Sequence, residues 1–369
     1  MPSKNINFNS QLIYHLVSLI PKSKVLTYGK IAEILSFKSK RLVGRILHQN
    51  KNPEKVPCHR VVFADGTLSK NYAFGGLKGQ YLRLKNEGVK FYFESDRCQD
   101  RIMVDLKKSL WQVNEVLKIY FFLLKKLGFP GPWPWFKNGC PSTKEEIVIE
   151  SILTQNTSWE NVKKAMINLK KEGLNDLKSI YVFGQKNLGE LKKLIRPAGF
   201  FNQKGERLFL FSKFIIEKYG GLKNFSKLSL GKARRELLNQ KGVGKETADT
   251  ILLYALEKPI FVIDQYTQKF AEKHFLNFLK KRYDRIKILK SYDLLQKFFM
   301  TNLPCDIFIF QNYHALIVEW GKRVNLVGFR TLCYSLPSES EGELDQESIK
   351  CHSLPSESEG GLDQESIKF

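Results

Sequence analysis

Cysteine is scarce in this chain: six in 369 residues, at positions 58, 98, 140, 305, 333 and 351, without regular spacing. That pattern fits a reducing compartment better than a disulfide framework, and it leaves room for a working thiol. Long apolar runs are also absent, none reaching the roughly 18 residues that a membrane helix needs. The start, Met1 to Phe8, is polar and has no apolar core of the signal-peptide kind. A cytoplasmic protein without a membrane partner is therefore expected. Acidic residues are few beside basic ones, 37 against 60, for a formal charge of +23. Such an imbalance points to a polyanionic partner, nucleic acid ahead of an anionic membrane surface. What the chain does hold is core material, 43% hydrophobic and 12% aromatic residues, which excludes global disorder. Its length suits two domains of ordinary size.

Residues 1–93 contain two helical patterns and several short strand-like pieces, and the polar, charged stretch 94–109 reads as a linker. From 110 to 332 the pattern is helical, with apolar residues at three- and four-residue spacing in 145–155, 189–196, 206–217, 246–256 and 311–320. The last segment repeats itself, CYSLPSESEGELDQESIK at 333–350 being followed by CHSLPSESEGGLDQESIK at 351–368. Its Ser, Glu and Pro content predicts an acidic, disordered tail. The predicted class is multidomain and mainly α: a small α+β domain, an all-α domain and this tail.

The first chemistry-bearing motif is Pro57-Cys58-His59-Arg60-Val61-Val62. Alone, a Cys beside a His is as readily packing as chemistry. Its surroundings add Thr27-Tyr28-Gly29, Arg41-Leu42-Val43-Gly44, Asn50, Asn71-Tyr72 and Glu87-Gly88 in that order. In order and spacing, residues 8–90 resemble the DNA-binding, winged-helix-like half of the O6-alkylguanine-DNA alkyltransferases. The resemblance implies that Cys58 accepts the methyl group, that His59 draws off its proton and that Glu87 orients His59. It implies a loop-supporting Asn50, an Arg41 that fills the space of an extruded nucleotide, a Tyr28 that helps rotate it out, DNA contact by Arg60 and a base pocket including Tyr72. A thiol ordinarily ionises near pH 8.5 and needs such activation. The methyl group on O6 lies inside the stacked duplex, so the nucleotide must leave the stack. The family's N-terminal companion domain, with any zinc site it carries, is not matched.

The second motif is Gly242-Val243-Gly244-Lys245-Glu246 between two helical patterns, a turn at which glycines let a phosphate approach backbone N–H groups. Asp264 follows the apolar run Pro259–Ile263, with Leu153-Thr154-Gln155-Asn156-Thr157 and Arg196-Pro197-Ala198-Gly199-Phe200 upstream. Residues 130–322 resemble the endonuclease III superfamily of helix-hairpin-helix glycosylases, and the tryptophan-rich stretch at 130–135 resembles the 3-methyladenine glycosylase III branch. That implies Asp264 as the catalytic carboxylate, Gln155 in the gap left by a flipped base, and DNA contacts by Gly242, Val243, Gly244 and Lys245. Trp133, Trp135 and Phe136 are candidates to stack on an electron-poor base, or else core residues. Bifunctional relatives carry a lysine where Glu246 stands; Lys245 is one residue early, about 100° around a helix. A monofunctional glycosylase is expected. His314 reads as a structural helix residue.

Many relatives hold an iron-sulfur cluster through four closely spaced cysteines. Only Cys333 and Cys351 lie in that region, so no cluster, metal or other cofactor is expected. The expected protein is a monomeric, nucleoid-associated repair enzyme acting on double-stranded DNA with alkylated bases. Two alternatives remain: a second module for oxidised pyrimidines or mismatches, and a non-catalytic lesion-binding chain.

Overall fold

The computed structural model describes residues 4–96, 99–135, 141–279 and 285–327. Phe136, Cys333, Cys351 and the acidic repeat lie outside them.

The N-terminal module begins with α1 (Lys4–Ser18), whose Leu12, Ile13, Leu16 and Val17 are buried on one face. Strand β1 (Leu26–Thr27) leads into α2 (Tyr28–Ile34), and Thr27 starts that helix because its Oγ1 accepts from the Lys30 N–H at 3.1 Å. After a turn, Ser39 caps α3 (Lys40–His48) in the same way. A short 3-10 turn (Cys58–Arg60) then leads into β2 (Val61–Val62), which pairs in parallel with β1. Helix α4 (Gly76–Asn86) closes this part.

The stretch expected as a linker is ordered. β3 (Phe91–Asp96) and β4 (Gln99–Val104) form an antiparallel hairpin, followed by the single turn α5 (Leu106–Ser109). Its charged residues hid the apolar end of β4, where the consecutive residues Met103 and Val104 are both buried. The Val104 N–H donates to the Gly66 carbonyl at 2.9 Å, and a Cβ on Gly66, at φ +87°, would stand 2.5 Å from the Val104 oxygen. Only glycine fits there. At the C-terminal end of α5, the Val25 N–H bonds the Ser109 carbonyl and the Trp111 N–H bonds the Val25 carbonyl, both at 2.9 Å.

The remainder is helical, as expected: α6 (Glu115–Leu127), α7 (Lys144–Leu153), α8 (Trp159–Lys171), α9 (Leu177–Leu194), α10 (Phe201–Tyr219), α11 (Leu222–Phe225), α12 (Leu230–Leu238), α13 (Lys245–Thr250), α14 (Gln265–Leu279), α15 (Arg285–Lys290), α16 (Tyr292–Asn302) and α17 (Ile307–Val327). A π-helical turn, Ile251–Ala255, extends α13. Asp249, fully buried, takes a two-pronged bond from Arg234 of α12 and further bonds from Tyr292 and Gln296 of α16. This fully paired charge pins three helices around the α12–α13 turn. No helix of the described residues is long and apolar enough to cross a membrane.

The modules share one core, in which Leu12 and Leu16 of α1 pack in the same cluster as Val116 and Tyr120 of α6. His15 sits at the seam, its Nε2 2.8 Å from the Tyr120 hydroxyl and its ring against Phe121, Phe129 and Phe308. Burial lowers its pKa from 6.5 to about 4, against the opposing charge of Asp306. The folded state therefore refuses a proton that the unfolded chain accepts below pH 6.5. Stability should fall as pH drops from 6.5 towards 4, with His15 contributing on the order of 2 kcal/mol of that loss. We expect His15→Gln, which keeps a partner for Tyr120 but does not titrate, to show a shallower decline of the urea midpoint over this range. Equal slopes would remove His15 as the cause.

Candidate active sites

In the N-terminal module the β1–β2 pair places the turn at Cys58 beside α2 and α4. Cys58 is buried, and Asn50 defines its loop: the Asn50 Nδ2 donates to the Val56 carbonyl at 2.9 Å and to Cys58 Sγ at 3.2 Å. His59, also buried, directs Nε2 to Glu87 Oε1 at 2.8 Å. With that nitrogen donating to a carboxylate, Nδ1 is the acceptor atom, and it is buried without a hydrogen-bond partner. Burial lowers the His59 pKa, and the bond to Glu87 only partly offsets it, so the neutral, proton-accepting form persists. Glu87 is itself pushed up by burial, but bonds from Arg60 and His59 outweigh this and hold its pKa below the usual value.

Arg60 is a correction. Expected to reach DNA, it turns inward, with Nε and Nη2 holding Glu87 at 2.8 and 2.7 Å and Nη1 on the Ile20 carbonyl. A half-buried carboxylate needs that paired charge more than the surface does. Gln80, fully buried, donates to the His59 and Val61 carbonyls and fixes the turn from behind. Burial and then the Cys58 charge raise the pKa of the Tyr72 and Tyr28 hydroxyls, so both stay protonated donors. Arg41 lies exposed in the first turn of α3.

In the second module Asp264 caps α14, its Oδ1 accepting from the Thr267 N–H at 2.7 Å. Oδ2 lies 3.4 Å from His314 Nε2, and His314 Nδ1 lies 2.8 Å from the Tyr254 hydroxyl. Burial raises the Asp264 pKa, but His314 and the Thr267 bonds overcome it and the net shift is down. Glu246 moves the other way, to about 6, through burial first and the charge of Asp264 second. The two carboxyl groups are thus shifted in opposite directions, although Glu246 stands exposed at the start of α13. Sequence reading took His314 for a structural helix residue and missed Tyr254: each sits in an apolar helical stretch indistinguishable from core.

Trp135 joins this cluster, its ring 5.3 Å from His314 and 5.2 Å from Tyr254, and Trp133 packs 4.8 Å from Trp135. Trp133 is anchored through Nε1 to Glu150 at 2.6 Å, and burial raises the Glu150 pKa to about 7. Both tryptophans are half-buried. Gln155 spends its amide on the hairpin, donating to the Gly242 carbonyl at 2.9 Å and Thr247 Oγ1 at 3.0 Å and accepting from Arg207 at 2.8 Å. Gly242 has φ +81°, and a Cβ there would come 2.3 Å from Arg207 Nε. Gly244 and Lys245 are exposed at the turn, whereas the Val243 side chain is buried and its N–H is taken by the Gln240 carbonyl at 3.1 Å. Val243 is the second correction, because the turn itself uses the donor expected for DNA. Lys245 pairs with Asp293 at 2.6 Å. Phe200, given no role of its own by the sequence reading, is 65% exposed with φ +46°. Buried Lys204 ties its turn to that of Gln155 by donating to the Ala198 and Leu153 carbonyls at 2.7 and 2.9 Å. Among the described residues, no group of three or more His, Cys, Asp or Glu could hold a metal ion.

Residues 8–89 match the family model of the 6-O-methylguanine DNA methyltransferase DNA-binding domain, and residues 149–290 that of the HhH-GPD superfamily of base excision DNA repair proteins. A putative DNA repair glycosylase of Methanocaldococcus jannaschii is 44% identical over 211 residues, which are 56% of this chain and 87% of that protein. The chain belongs to the HhH-GPD superfamily. Its N-terminal module is a methyltransferase-type DNA-binding domain, so this is a two-part DNA-repair protein. That module is also 40% identical over 81 residues to alkyltransferase-like protein 1 of Schizosaccharomyces pombe, covering 22% of this chain and 75% of that one. Among solved structures, the H. pylori 3-methyladenine DNA glycosylase bound to 1,N6-ethenoadenine is 31% identical, with a TM-score of 0.44 over 57% of this chain and 96% of that one. The methyltransferase match contains Cys58, His59 and Glu87, while the HhH-GPD match contains the hairpin and Asp264. Trp133, Trp135 and His314 fall outside the latter, on either side.

Proposed function

We propose that the chain repairs alkylated double-stranded DNA at two sites, by irreversible methyl transfer to Cys58 and by hydrolytic release of an alkylated purine at Asp264. The observation that carries this reading is one geometry in each module: Cys58 beside the His59–Glu87 pair, and Asp264 against His314 and the rings of Trp135 and Tyr254.

At the first site His59 takes the thiol proton, and Glu87 stabilises the imidazolium. Cys58 Sγ then bonds to the methyl carbon as the carbon–O6 bond breaks and the guanine leaves with the electron pair. The thioether is stable, so each molecule reacts once. Tyr28 and Tyr72 supply protonated hydroxyls to the base, and Arg41 fills the vacated stack.

At the second site an alkylated purine carries positive charge, which favours aromatic faces such as Trp135 and weakens the bond to the sugar. Asp264 stabilises the cationic sugar and orients water, and His314 holds Asp264 Oδ2. Phe200 and Gln155, on turns tied by Lys204, enter the duplex where the nucleotide has left. The hairpin residues Gly242, Gly244 and Lys245 approach the backbone phosphate. Strand cutting needs an amine at the sugar carbon, but Glu246 stands at the lysine position and Lys245 is paired with Asp293.

The test is a duplex carrying one alkylated purine, analysed with and without hot alkali. We expect cleavage only after alkali. Direct cleavage, with a borohydride-trapped complex that disappears in Lys245→Ala, would overturn the monofunctional reading. Release of oxidised pyrimidines alone would overturn the substrate. The alternative is a purely lesion-binding role, and the thiol at Cys58 and the carboxylate at Asp264 speak against it.

A further inference from the structure

We propose that the glycosylase module builds part of the methyltransferase module's DNA-reading site, with Lys125 of α6 as the positioning residue. Lys125 reaches out of the second module into the turn between α2 and α3, where its Nζ donates to the Leu35 carbonyl at 2.8 Å and the Ser36 carbonyl at 2.6 Å. These are carbonyls at the C-terminal end of α2, where a helix leaves acceptors unpaired and its dipole favours a cation. The amine also stands 5.0 Å from the Phe37 ring centroid.

The turn needs this support. Ser36 has φ +50°, a conformation that costs a non-glycine residue free energy and persists only where surroundings enforce it. The N–H groups of Leu35, Ser36 and Phe37 are spent on Ile31, Glu33 and Ala32, so they close the turn locally but do not anchor it to anything outside α2. Lys125 supplies that anchor, and burial lowers its pKa, as expected of a cation drawn off the surface. Three residues beyond Ser36, Ser39 starts α3, which carries the exposed Arg41 in its first turn. The bonds from α6 therefore set how α3 is presented to a duplex. They do not bear on the Cys58–His59–Glu87 arrangement, which is held by Asn50, Arg60 and Gln80.

This inference rests on the methyltransferase reading of the first module, and the test separates the two. In the full-length chain, Lys125→Met should lower the rate of methyl transfer from a duplex containing O6-methylguanine by about tenfold, the scale of lost hydrogen bonds to a charged group. The duplex Kd should rise by a similar factor. Alkylation of Cys58 by free O6-benzylguanine, which needs no duplex, should be unchanged, and Lys125→Arg, which keeps two donors and the charge, should restore the duplex rate. An unchanged duplex rate and Kd in Lys125→Met would overturn the proposal. So would a parallel loss with the free base, which would mean a general structural role. If the unaltered protein alkylates Cys58 with neither substrate, the methyltransferase reading fails, and the duplex Kd of Lys125→Met still decides the role of Lys125.

Discussion

Cys58→Ser is expected to abolish methyl transfer while leaving base release intact. Serine is close in size, so the loop held by Asn50 should survive, but a hydroxyl does not ionise where a thiol can. Mass spectrometry after incubation with O6-methylguanine DNA should show one added methyl on the peptide carrying Cys58 in the unaltered protein, and none in the variant. His59→Phe should slow transfer by about a hundredfold or more, the scale of a lost general base. The pH profile gives an independent check. Because burial lowers the His59 pKa below 6.5, the acceptor form survives as pH falls through 6.5, and the transfer rate should not begin its acid decline until below that point. Normal transfer by Cys58→Ser, or a rate already halved at pH 6.5, would contradict this assignment.

Asp264→Asn should reduce base release by about a thousandfold, the scale of removing a preorganised charge from a buried site. The substitution is mild for the fold, since an asparagine oxygen can still accept from the Thr267 N–H and cap α14. Methyl transfer should continue unchanged, as the catalytic groups belong to separate sites and their losses should not couple. His314→Phe should weaken base release less, because it removes the hold on Oδ2 but leaves the carboxylate. Loss of both activities in a folded Asp264→Asn protein would refute the two-site reading, and full base release by it would refute the role of Asp264.

The structure brings together much of the predicted chemistry. Cys58, His59 and Glu87 stand in one arrangement, and the first two are adjacent in sequence, so a short motif carried most of it. Asp264 was legible because a carboxylate directly after the apolar run Pro259–Ile263, downstream of the glycine turn, is a local pattern. Arg60 was misread because its partner, Glu87, lies 27 residues on, and sequence cannot tell an inward guanidinium from an outward one. The hairpin at 91–104 was taken for a linker because its turn-side halves, Glu94 to Asp96 and Gln99 to Arg101, are polar and charged, and the apolar runs on either side are only three residues long. His314 was read as a structural helix residue because it meets Asp264 and Tyr254 only through folding, the latter 60 residues away.

By itself, the sequence determined the two-part, mainly helical architecture, the cysteine and the carboxylate on which each site is built, and the lack of a lysine at the position of Glu246. These are written in contiguous motifs and periodicities, which depend on neighbours along the chain. Only the tertiary structure decided in which direction each carboxyl group is shifted, which guanidinium faces inward, and that Lys125 of α6 holds the turn before α3. Those outcomes depend on burial and on partners up to 90 residues apart, as with Lys125 and Leu35. A side chain's charge and direction follow from what folding places around it, and that is set by the packing of distant segments.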